Sequence, residues 1–216
     1  MKRSLSLSGI PVSPGIAVGR AAVWIGRPDS TPRRELDAEE VPAELEKLHL
    51  AVESSIREIG EMAAQVEVRL GKEYAAIFQA HGLFLQDPTF LGPIERMIAS
   101  EKVNAEWAVE VVSEALASRL RDLPDKDLAL RASDLDDVSS ILKRSLGEGG
   151  AAVDRLAALT GDACVLVADE LTPSDAVRIP RDKVVAFVTE RGGKTSHAAI
   201  LARSFGLPAV VAVPKL

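Results

Sequence analysis

Gly192-Gly193-Lys194-Thr195-Ser196-His197-Ala198-Ala199-Ile200-Leu201-Ala202-Arg203 sets one histidine, preceded by two hydroxyl residues, where a glycine turn becomes a helix. Upstream, Val184 to Val188 read as a buried strand feeding the turn. Downstream, Ala198, Ile200, Leu201 and Phe205 give the helix a packing face. Gly206 and Pro208 then end it, and Ala209 to Val213 read as a second strand. A lone histidine at a helix start is commonly a cap, a surface group or a core residue, and a Gly-Gly pair is a weak sign alone. Strand, glycine turn, histidine, helix, strand is a much narrower context. The first turn of a helix offers unpaired N–H groups and the positive end of the dipole, a seat for phosphate. A neutral imidazole there can attack a phosphoryl group and hold it as a phosphoramidate. Gly193 is expected to let the backbone come close to that group, at positive φ. His197 is thus the candidate phosphoryl acceptor.

The 216 residues suffice for one large domain or two modest ones, and 47% hydrophobic content is ample for packed cores. The single cysteine, Cys164, cannot close an internal disulfide and reads as a small core residue in the apolar run Ala163 to Ala168. Met1-Lys2-Arg3 leads into alternation through Leu5, Leu7 and Ile10 rather than into the apolar stretch of a signal peptide. No run approaches the roughly 18 apolar residues of a membrane span, so no membrane insertion is expected and the cytoplasm is the expected compartment. A net charge of −6 and 4% aromatic residues argue against a nucleic-acid partner, which needs a basic surface and stacking rings. A mildly acidic surface permits a basic protein partner instead.

Along the chain the pattern changes twice. Residues 5–25 alternate and break at Pro11, Pro14, Gly15 and Gly19, as short strands and turns do. Residues 26–40, with Pro28, Pro32 and many charges, read as a linker. From Val41 the period is helical. Leu45, Leu48, Val52, Ile56, Ile59, Met62 and Val66 predict one long helix that starts near Pro42 and ends at Gly71. Tyr74 to Leu85 predict a second helix, stopped near Asp87-Pro88, and Pro93 to Ser100 a short further turn. Asn104 is the expected N-cap of a helix through Trp107, Val111 and Leu116. Leu128 to Leu146 line a last one, with Gly147 as its C′ residue. The strand period returns at Cys164 to Val167, and Thr172-Pro173-Ser174-Asp175 has the form of a capping box. Since the short alternating start cannot bury a sheet alone, it must pair with strands beyond the helices. The expected fold is α+β: a discontinuous β/α domain, residues 1–28 and 149–216, carrying an inserted helical bundle, residues 29–148.

The stretch from Val184 to Val213 resembles the phosphohistidine swivelling domain shared by enzyme I of the bacterial phosphoenolpyruvate–sugar phosphotransferase system, phosphoenolpyruvate synthase and pyruvate phosphate dikinase. Their pattern, Gly-Gly-x-Thr-Ser/Cys-His with small and aliphatic residues and then Ala-Arg, is complete here. The resemblance implies phosphorylation of His197 on a ring nitrogen, expected to be Nε2, with Thr195, Ser196 and Arg203 steadying the phosphoryl group beside Gly193. Enzyme I alone is similar over the whole length. Its Ser-Pro-Gly-Ile-Ala start is matched by Ser13 to Ala17, and its Leu-Thr-Pro-Ser element by Leu171 to Ser174. Within the insert, Ala76 to His81 and Arg131 to Asp137 resemble enzyme I segments.

Enzyme I takes a phosphoryl group from phosphoenolpyruvate on a carboxy-terminal barrel and relays it through its histidine to a histidine of the carrier protein HPr. The resemblance therefore implies an HPr-docking helical insert, with contacts at Tyr74, Phe78, His81, Phe84, Leu85 and Arg131. Bundle core is the other reading of its apolar members. It also implies Mg²⁺ in the full-length enzyme and a homodimer through the barrel. Two positions depart from the family. Between Lys72 and Asp87 only Glu73 and Asp87 are acidic, so docking is expected to rest more on apolar contact. Ala176 stands where family members carry a threonine that hydrogen-bonds the unphosphorylated histidine.

No barrel, Walker-type loop, cofactor motif or metal-ligand cluster is evident before Leu216, so the chain alone is not expected to use phosphoenolpyruvate. Two other functions fit the histidine motif: the swivelling carrier of a synthase- or dikinase-like enzyme, and a non-catalytic regulatory binding module.

Overall fold

Leu48, Val52, Ser55, Ile59, Met62 and Val66 recur at threes and fours and lie buried along one side of helix α1 (Val41–Leu70). The computed structural model describes residues 5–24, 31–124, 126–147, 163–194 and 196–216. Within it the chain divides into two units, one of Asp29–Ala152 and one of Met1–Pro28 with Val153–Leu216.

The first unit is helical. Gly71, at φ 97°, ends α1 and leads directly into α2 (Lys72–Leu85). A side chain there would be strained by the backbone angle alone. Helix α3 (Pro88–Glu101) is longer than the predicted short turn. The reason is local: Asp87 caps it by accepting the Thr89 N–H at 2.8 Å, and Pro88 fits the first turn, where no N–H is needed. Helices α4 (Ala105–Arg121) and α5 (Lys126–Leu146) complete the bundle. Helix α2 lies against α1 and α5, and α4 against α5. Their shared interior includes Phe78, Leu85, Phe90, Ile94, Ile98, Ile141 and Leu142, all inaccessible to solvent or nearly so. Each such side chain contributes about 1.5–3 kcal/mol by leaving water.

Asn104 occupies the N-cap position of α4, but its side chain does not cap the helix. Its Oδ1 accepts the Arg34 N–H at 2.8 Å, and its Nδ2 donates to Glu106 and to the Pro32 carbonyl. The cap comes instead from α1, where buried Glu44 accepts the Ala105 N–H at 2.8 Å and the Arg34 guanidinium at 3.1 Å. Residues 31–36 are consequently not a free linker. Backbone bonds from Leu36 to Lys102 and between Arg34 and Asn104 hold them on the α3–α4 corner.

The second unit contains β1 (Ile10–Ser13), β2 (Arg20–Trp24), β3 (Cys164–Ala168), α6 (Pro173–Arg178), β4 (Val184–Thr189), α7 (His197–Phe205) and β5 (Ala209–Val211). Its sheet has the order β1-β5-β4-β3-β2, with β1 antiparallel to β5 and the other pairs parallel. Cys164, Leu166, Val184, Phe187, Ala199, Ala202, Ala209 and Val211 share one core. Parallel pairing of Ala168 with Thr189 sets the carboxyl ends of β3 and β4 side by side. The loops into α6 and α7 both leave from that end, the usual location for ligand sites in parallel sheets.

Candidate active site

Two helix starts are built from short polar signals at this end of the sheet. At α6, Thr172 and Asp175 form a reciprocal capping box, each side chain accepting the other's backbone N–H. At α7, Ser196 is the N-cap and its hydroxyl accepts the Ala199 N–H at 3.3 Å. His197 is therefore the first helical residue, its ring half-buried, with no hydrogen-bond or charged partner among the described residues. Ala176, buried on α6, offers no hydroxyl that could hold a resting imidazole. The α7 start directs unpaired N–H groups and the positive end of its dipole toward the same region.

The loop before His197 is fixed at several points. Beyond β4, the Glu190 N–H donates to the Ala168 carbonyl at 3.0 Å and the Arg191 N–H to the Asp169 carbonyl at 2.8 Å. The Thr189 hydroxyl then donates to the Arg191 carbonyl at 2.6 Å, turning the chain. Gly192 makes the turn at φ 115°. The left-handed position is thus Gly192 and not Gly193, which was expected to carry it. A Cβ on Gly193 would meet nothing within 4 Å, while its carbonyl accepts the Ser196 N–H at 3.1 Å. Arg203 reaches back from the second turn of α7, its Nη1 donating to the Lys194 carbonyl at 3.1 Å and the Val12 carbonyl at 3.4 Å. As folded, it ties the loop to β1. Thr195 lies outside the described residues.

Three of the expected docking residues face inward. Phe78 is 1% exposed, His81 2% and Leu85 0%, on the stripe of α2 that packs into the bundle. Ala75, Phe78, His81 or Gly82, and Leu85 follow helical spacing, so the periodicity of the segment itself marks them as core. They cannot form an outer surface without unpacking the helix. Tyr74 and Arg131 are exposed, and Phe84 is half-buried with its ring 4.7 Å from that of Phe90. The outer stripe of α2 is Ala76, Gln79, Ala80 and Leu83, with Leu83 70% exposed. Among the described residues no group of three His, Cys, Asp or Glu side chains could hold a metal ion. No helix among them is long and apolar enough to cross a membrane.

Residues 8–131 match the family of PEP-utilising enzymes in its N-terminal part, and residues 160–216 match the mobile domain of PEP-utilising enzymes. The chain belongs to the PEP-utilising enzymes. Within this family it is 36% identical over 209 residues to the phosphoenolpyruvate-protein phosphotransferase of Geobacillus stearothermophilus, covering 97% of this chain and 35% of that protein. The chain thus spans about a third of the length of the curated relatives it matches. Among solved structures, it is similar to a solution NMR structure of enzyme I, with TM-score 0.71 and 33% identity over 97% of this chain and 84% of that one. The N-terminal domain of nitrogen enzyme 1 gives TM-score 0.65 and 27% identity over 96% and 84%. The enzyme I resemblance read from the motifs, and the α+β fold class, agree with these findings among PEP-utilising enzymes.

Proposed function

We propose that this chain is the phosphoryl-carrying and HPr-docking part of a phosphoenolpyruvate–protein phosphotransferase, with His197 as the relay. The observation that carries the reading is an imidazole at the first position of α7, behind a glycine turn and without a hydrogen-bond or charged partner among the described residues, in a chain of this family. One ring nitrogen uses its lone pair to form a P–N bond, while the other carries the imidazole proton. The donor's bond to phosphorus breaks in the same step, P–N in phospho-HPr or P–O in phosphoenolpyruvate, and its electrons leave with the donor. The first-turn amides of α7 stabilise the charge that arrives, by roughly 0.3–2 kcal/mol. Ser196 holds the helix start in place for that charge.

HPr would dock on the helical unit along the outer stripe of α2, Ala76, Gln79, Ala80 and Leu83, with Tyr74 and Arg131. Phosphoenolpyruvate and Mg²⁺ would be handled on the carboxy-terminal barrel that the enzyme I resemblance implies. The test is incubation with phospho-HPr from a related system, followed by intact-mass analysis. One acid-labile phosphate should appear, reversibly, and be absent from His197→Ala. Leu83→Ala should weaken HPr binding by about 1 kcal/mol or more while leaving the melting temperature unchanged. No phosphate on the wild-type chain would contradict the reading.

A further inference from the structure

Among the described residues, the segment between β4 and His197 has no helix or strand of its own to stiffen it, yet His197 must meet a phosphorus atom in line. Misplacement by about 1 Å can cost 10²-fold in such a transfer. Something must fix where the segment starts. The backbone does so in part, by carrying the β3–β4 pairing two residues past β4 to Arg191. The Arg191 side chain adds a second tie. Its Nε donates to Asp169 Oδ1 at 3.0 Å and its Nη2 to Asp169 Oδ2, a two-pronged pair, with Glu170 Oε2 at 3.8 Å from Nε. Backbone and side chain of Arg191 thus both grip residue 169, which opens the neighbouring loop into α6.

We propose that Asp169 and Arg191 are a positioning pair for phosphoryl transfer at His197, locking the start of the histidine loop to the end of β3. Neither residue touches the phosphoryl group. The pair acts through the chain: Arg191 precedes Gly192, whose φ of 115° sets the direction in which the loop departs, and the next anchors are the Gly193 and Lys194 carbonyls. A two-pronged guanidinium–carboxylate contact fixes orientation as well as distance, which a lysine at the same place could not do. Both side chains are more than half exposed, so the tie is modest and sensitive to salt.

This inference rests on the proposed phosphotransfer, and the experiment separates the two. Single-turnover transfer from phospho-HPr is followed by rapid quench for the wild type, Arg191→Ala, Asp169→Ala and the charge-reversed pair Asp169→Arg with Arg191→Asp, beside HPr affinity. At low salt each single variant should transfer about two- to fivefold more slowly, the range an exposed two-pronged pair can supply. HPr affinity should be unchanged, and the charge-reversed pair should recover most of the rate. Molar salt should bring the wild type down toward the single variants. Wild-type rates in both single variants at low salt, or no recovery by the reversed pair, would overturn the positioning role while leaving His197 as acceptor. A wild-type chain that takes no phosphate would overturn both.

Discussion

Helices α2 and α7 each carry one of the chain's three histidines, and the two rings have opposite surroundings. His81 lies 2% exposed, its Nε2 3.8 Å from Asp134 Oδ1, its Nδ1 3.7 Å from Asp137 Oδ2, and its ring edge-on to Phe78. His197 is half-buried at a helix start, with no such neighbours among the described residues. The lesson concerns position rather than residue type. A histidine inside a three-and-four apolar repeat is drawn into the bundle with the rest of its stripe. One placed behind a glycine turn and a serine cap is presented at the end of a helix, where a ligand can reach it. Nearby acids do not by themselves make the first ring a site.

The largest expected effect sharpens that contrast. Phe78→Ala should cost about 3–5 kcal/mol of stability, as for a buried ring, while the folded fraction keeps its HPr affinity. His197→Ala should melt within about 0.5 kcal/mol of the wild type. Melting curves and HPr titrations on the same two proteins decide it. A Phe78→Ala chain with wild-type melting and lost HPr affinity would return that face of α2 to the docking surface.

A smaller effect separates the two glycines. Gly192→Ala puts a side chain at φ 115° and should cost about 1–3 kcal/mol of strain in the loop. Transfer through His197 should slow by about tenfold or more, because the loop sets the ring's position. Gly193→Ala should be tolerated, since its Cβ points into open space. Rapid-quench transfer and melting on both variants would break the account if Gly193 proved the more sensitive of the two.

These contrasts show what the sequence made legible. The α6 capping box was readable because Thr172 and Asp175 act on each other three residues apart. The start of α7 was readable from the glycine turn before His197, while the capping role of Ser196, expected only to steady the phosphoryl group, was not read. Asn104 stands at the head of α4 as expected, but its hydrogen bonds were not readable, because the N–H of Ala105 is capped by Glu44, 61 residues before Ala105 on another helix. Likewise the tie between Asp169 and Arg191 spans 22 residues and depends on the β3–β4 register. On α2 the apolar repeat was visible, yet family resemblance drew attention to its rings instead of its outer stripe of Ala76, Gln79, Ala80 and Leu83. Local chemistry could be read directly, whereas contacts made only by packing could not.

The smallest effect tests the helical unit through pH. Burial alone would raise the Glu106 pKa, but hydrogen bonds from the Lys47 ammonium and the Asn104 amide outweigh it and hold the carboxyl below the ordinary glutamate range. A carboxylate depressed in this way contributes stability that is complete above its unfolded pKa, about 4.3, and is lost as pH falls through the lower folded value. Denaturant titrations should therefore show an acid-side loss of about 1 kcal/mol at most, from a pair open to solvent on one side. Glu106→Gln should lower stability at pH 7 and flatten that acid limb. An unchanged limb in Glu106→Gln would assign the loss to other carboxylates.

The most direct measurement of the central claim watches the histidines together. Imidazole proton–nitrogen correlation spectra, recorded before and after addition of phospho-HPr, report on each ring separately. The account predicts that His197 alone acquires the pattern of a phosphorylated ring, and that His81 and His49 keep their resonances. A phosphorylated pattern on either of those two rings, with His197 unchanged, would contradict it.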